Sequence, residues 1–171
     1  AWLAKGGRGK NPGGMAFCTK VGQTRGVIQQ TELGALTPPG PKPKARFMNL
    51  GSQLNWADKV LGLLDGPAGS TPSWARREPL EEKLSWLREF RADLAQWRQW
   101  QAIVDVTVGF VGGEDLHART ALLLSRELWP LRHTAEGRRL AAELIRFVRE
   151  QARRARPGER LPGSTEVLES C

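Results

Sequence analysis

The chain has 171 residues, 40% of them hydrophobic, with 26 Lys and Arg against 18 Asp and Glu, a formal net charge of +8 and a pI near 10.3. That length and hydrophobic content suit a globular protein that buries its own core and exclude a disordered chain. The charge favours polyanionic partners, nucleic acid ahead of a membrane surface, and no apolar run approaches the roughly 18 residues of a membrane span.

In chain order, residues 1–14 contain the glycine-rich, basic run KGGRGKNPGG, which is expected to form a flexible arm. It lacks the strand and the closing Lys-Ser/Thr of a phosphate-binding loop. From Met15 to Leu36, the apolar positions Phe17, Val21, Val27, Ile28 and Leu36 predict one helix, weakened by Gly22, Gly26 and Gly34. Residues 37–44 (TPPGPKPK) then read as an extended, positively charged connector. Leu50, Leu54, Val60, Leu61 and Leu64, with Trp56 beside them, predict a second helix that Gly66-Pro67 stops.

A Gly, Pro and Ser loop over 66–79 follows, interrupted by Trp74. Leu80, Leu84, Leu87, Phe90, Leu94 and Trp97 fall at steps of three and four, the mark of a long amphipathic helix. The β-branched run over 103–111 fits a strand or a buried helix, and its helical neighbours favour a continued helix closed by Gly112-Gly113. Leu116, Ala121, Leu122, Leu124 and Leu128 predict a further helix that Pro130 ends; Thr134 is placed to cap the next, with Leu140, Leu144, Ile145 and Val148 on its apolar face. The expected fold is mainly α, an antiparallel assembly of about five helices over 15–156. Residues 157–171 read as a loop and the opening turns of another helix, with Ser164 as N-cap and Glu166 and Glu169 three apart.

Arg138, Arg139, Arg146, Arg149, Arg153, Arg154, Arg156 and Arg160 crowd the last long helix and the loop after it, offset only by Glu136, Glu143, Glu150 and Glu159. A solvated helix face is the plain reading. Planar guanidinium groups suit phosphate, which makes Arg146, Arg149, Arg153, Arg154 and Arg156 the candidate DNA contacts. Seven tryptophans, including Trp56, Trp86, Trp97, Trp100 and Trp129, fall at or beside apolar positions and are expected in the core or at its edge. Cys18 and Cys171 make no C-x-x-C pair, and His117 and His133 lack metal-pair spacing, so neither a zinc ribbon nor a disulfide framework is expected; the setting reads as reducing and cytoplasmic.

The stretches FCTKVGQT (17–24), IQQT (28–31), Pro38-Pro39, KARFMNL (44–50), LSWLREF (84–90), LRHT (131–134) and STEVLES (164–170) together resemble the later part of a bacterial insertion-sequence transposase of the DDE type. The resemblance spans nearly everything after residue 15. It implies a helical insertion within a ribonuclease-H-like fold, in which two aspartates and a glutamate hold Mg²⁺ for strand cleavage and transfer at transposon ends. By that pattern Glu169 matches the catalytic, metal-binding glutamate, with Glu166 as the alternative, and a basic residue would lie seven positions on. The two strand-borne aspartates are not among the matched residues, and Asp105 falls inside the helical insertion. One carboxylate does not hold a hard divalent ion, so the resemblance reads the chain as a truncated C-terminal part that binds DNA at most, holds no metal of its own and is able to oligomerise. The alternative is a stand-alone helical module binding nucleic acid or another protein.

Overall fold

The structure is a computed structural model and describes residues 12–40, 49–67, 72, 74–113 and 116–154. Among them are six α-helices: α1 (Pro12–Ile28), α2 (Asn49–Asp65), α3 (Arg77–Leu84), α4 (Arg91–Gly113), α5 (Thr120–Glu127) and α6 (Ala135–Ala152). Short 3₁₀ segments occupy Gly34–Leu36, Ser85–Phe90 and Trp129–Leu131. The described chain is therefore mainly α, as its periodicities predict, and no β-strand occurs among the described residues. The β-branched run over 103–111 is helical within α4, where Thr107 hides its hydroxyl by donating to the Ile103 carbonyl at 2.8 Å.

Three expectations need correction. Helix α1 begins at Pro12, so residues 12–14 of the expected arm are helical; proline is tolerated in a first turn because its missing N–H has no intrahelical acceptor there. The same helix ends at Ile28, not near Leu36, because Thr31 Oγ1 donates to the Ile28 carbonyl at 2.9 Å and turns the chain. Leu33 and Leu36 are still buried, but from the turn and the 3₁₀ segment that follow. The long helix over 80–97 is α3, a 3₁₀ turn and the start of α4 in succession. Leu84, Leu87 and Phe90 keep one face through this change, since residues three apart eclipse in a 3₁₀ helix.

Where one helical domain over 15–156 is expected, the chain divides into two compact units, Ala1–Trp97 and Arg98–Cys171, with α4 contributing residues to each. The core of the first unit is aromatic. Phe17 of α1 meets Trp97 at 5.2 Å, Phe90 at 5.5 Å and Trp86 at 6.0 Å between ring centroids, in edge and tilted arrangements that suit ring quadrupoles. Trp56 donates its indole N–H to the Leu36 carbonyl at 2.7 Å, which ties the segment after α1 to α2. Packing of Trp56 and Trp97 in the core, with half-buried Trp86 at its edge, follows the sequence expectation.

The second unit packs α5 against α6 over an aliphatic core of Ile103, Val111, Leu116, Leu124, Leu128, Ala141, Ile145 and Val148. Thr134 caps α6 as expected, accepting from the Gly137 N–H at 3.0 Å. Its hydroxyl also donates to Gln99 Oε1 at 2.5 Å, while Gln99 Nε2 donates to the Leu131 carbonyl at 2.6 Å. Gly137 permits this brace, for a Cβ there would lie 2.5 Å from Gln99 Nε2.

Candidate nucleic-acid interface

Helix α6 buries Gly137, Ala141, Ile145, Val148 and Ala152, which fixes what its other sides present. Arg139, Arg146 and Arg153 are seven residues apart, so they recur on one side at steps of about 10 Å, and Arg149 and Arg138 lie beside them. All five are exposed. Glu136, Glu143 and Glu150 repeat with the same period three residues earlier, forming a parallel carboxylate lane. None of Arg138, Arg139, Arg146, Arg149, Arg153 or Arg154 is within ion-pair distance of a described residue. Arg138 does donate to the His133 carbonyl at 3.3 Å.

The first unit handles its arginines differently. Arg88 forms a two-pronged contact with Glu81 at 2.6 and 2.9 Å, reaches Asp65 at 3.3 Å and donates to the Leu64 carbonyl at 2.9 Å. Arg91 also pairs with Asp65. Arg77 donates to the Leu63, Leu64 and Gly66 carbonyls, so two guanidinium groups satisfy the bare C-terminal end of α2. Hydrogen bonding by Arg91, then Arg88, holds the Asp65 carboxyl below its ordinary range, and Arg88 does the same to Glu81. These cations are committed to holding helices together.

Net charge does not follow this division: over the full sequence residues 1–97 carry 14 Lys and Arg against eight Asp and Glu, and residues 98–171 carry 12 Arg against ten. No protein-family model matches the chain, and no curated protein or solved structure is similar to it.

Of the residues singled out by sequence, Arg146, Arg149 and Arg153 come together on one side of α6, while Arg154 follows in the turn after it. Arg156, Glu166 and Glu169 lie outside the described residues. Asp105 is exposed on α4, where it accepts from Gln101 Nε2 at 2.6 Å. Among the described residues no three His, Cys, Asp or Glu side chains cluster as a metal site, and no helix is long and apolar enough to cross a membrane. Burial pushes the Cys18 thiol up, away from a reactive thiolate. His117 serves locally, its Nδ1 accepting from the Arg119 N–H at 3.3 Å.

Three residues fall outside the sequence-based site. Arg139 extends the lane toward the start of α6, its seven-residue step to Arg146 being the available signal, and Arg138 lies beside it. Trp129 departs from its expected packing. It is 73% exposed, because it sits in the 3₁₀ corner between α5 and α6 while Leu128 takes the buried position.

Proposed function

We propose that this chain binds DNA through the arginine side of α6, as part of a DDE-type transposase, and does not itself carry out strand transfer. The observation that carries the reading is the exposed row of Arg139, Arg146, Arg149 and Arg153, which meets no carboxylate among the described residues. Unpaired guanidinium groups keep their donors free for phosphate oxygens, and each contact releases counterions from the duplex. The neighbouring glutamate lane repels the backbone and confines a bound strand to the arginine side.

The transposase part of the proposal rests on the sequence resemblance alone. Within it, Glu169 would be one of three carboxylates holding Mg²⁺, and this stretch of chain supplies no matched aspartate to join it. Binding without cleavage, at transposon ends and in a cytoplasmic setting, is the role that remains; oligomerisation on DNA is compatible with it.

Fluorescence anisotropy with a labelled duplex tests the reading. Affinity is expected to fall roughly a hundredfold or more between about 50 and 200 mM salt. Binding that ignores salt, or survives unchanged in the Arg146→Gln, Arg149→Gln, Arg153→Gln variant, overturns it. Metal-dependent nicking by the isolated chain, lost in Glu169→Gln, would overturn the non-catalytic assignment.

A further inference from the structure

We infer that the corner between α5 and α6 stacks an unpaired base of single-stranded DNA on Trp129, with Arg132 backing the ring. The inference rests on the reading of the second unit as a DNA-binding surface and adds a specificity that α6 alone does not have.

The exposure of Trp129 is built in. Leu128 immediately before it is fully buried, Leu131 packs against the core, and Pro130 between them restricts the backbone. The Leu131 N–H donates to the Leu128 carbonyl at 3.1 Å, the Arg132 N–H to the Trp129 carbonyl at 3.3 Å, and Gln99 holds the Leu131 carbonyl from α4. The corner is fixed on both sides of an indole that points into water.

One face of that indole is occupied. The Arg132 guanidinium sits 4.7 Å from the ring centroid, a cation–π contact that orients the ring and places positive charge behind it. With the side chain 73% exposed, the opposite face is open. Residues 126–139 carry Arg126, Arg132, Arg138 and Arg139 against Glu127 and Glu136, so the surroundings attract a polyanion more than an apolar peptide. Arg138 bonds to the His133 carbonyl and begins the arginine lane of α6, which makes the corner continuous with the phosphate-contacting surface.

An aromatic platform beside a basic track is the chemistry of single-strand binding. Base stacking tolerates any sequence because every base has a π face. In a blunt duplex the base faces are covered by their neighbours, so the corner discriminates for unpaired strands, while the arginine lane binds both forms.

The test compares the full chain with Trp129→Ala and Trp129→Phe, measuring affinity for an oligo-dT strand and a blunt duplex, each of roughly 20 nucleotides, longer than typical single-domain sites. Circular dichroism melts check that each variant folds. Trp129→Ala is expected to weaken oligo-dT binding about 5- to 100-fold and to leave duplex binding within about twofold, with Trp129→Phe losing less. Unchanged oligo-dT affinity in Trp129→Ala, or an equal loss on both ligands, overturns the inference. The Arg146→Gln, Arg149→Gln, Arg153→Gln variant separates the two readings: a loss on both ligands supports the α6 surface whatever Trp129 does. If that variant is unaffected while Trp129→Ala still loses oligo-dT, the corner stands and the α6 reading falls.

Discussion

Arg88 in the first unit touches two carboxylates and the end of α2, whereas Arg146, Arg149 and Arg153 in the second reach no carboxylate among the described residues. Both sets are the same side chain on helical segments, so residue type does not separate them. What separates them is the partner each fold brings. Asp65 and Glu81 approach Arg88 from α2 and α3, but the acids nearest the α6 arginines share their helix and run in a lane of their own. A paired guanidinium has spent its donors; an unpaired one offers them to an outside anion.

The largest change expected is charge reversal at Arg146, Arg149 and Arg153 to Glu, which abolishes duplex binding, a loss of roughly a hundredfold or more, without lowering the melting temperature. Gly137→Ala tests the support beneath the same surface. The new Cβ must displace Gln99 from Leu131 and Thr134, and a calorimetric loss of about 1–3 kcal/mol is expected. Removal of the Gln99 side chain in the same molecule recovers part of it.

Arg88→Ala breaks the comparison from the other side, lowering the melting temperature and leaving DNA affinity within about twofold. Its pH dependence has a definite sign. Asp65 and Glu81 titrate below their ordinary 3.8 and 4.5, so their stabilising effect is present above those values and is lost as pH falls through the lower folded-state ones. The melting difference between wild type and Arg88→Ala is therefore expected to be full near neutral pH and to shrink as the solution becomes strongly acidic. The smallest effect belongs to Arg76→Gln, whose two-pronged contact with Glu32 at 3.1 and 3.2 Å is largely exposed. Neither melting nor DNA binding is expected to change measurably, as for most surface pairs.

Helical periodicity made most of this fold legible. Leu80, Leu84, Leu87, Phe90, Leu94 and Trp97 all line the first core, and Thr134 caps α6 as its position before the last apolar stripe predicts. The 3₁₀ turn at Ser85–Phe90 was hidden because an apolar step of three satisfies both helix types. The end of α1 was hidden because a local Thr31 hydroxyl decides it, not a glycine. Arginine clustering on α6 was visible in the sequence, but which arginines are neutralised was not, since Arg88 meets an acid 23 residues away. Trp129 was misplaced for a related reason: a tryptophan beside apolar positions reads as core until a 3₁₀ corner turns it outward.

The most direct measurement is the slope of log affinity against log salt for duplex binding, taken for wild type and for Arg146→Gln, Arg149→Gln, Arg153→Gln. Three phosphate contacts predict a slope shallower by about three in the variant. Equal slopes would mean that these guanidinium groups touch no phosphate, and that the unpaired side of α6 is only a solvated helix face.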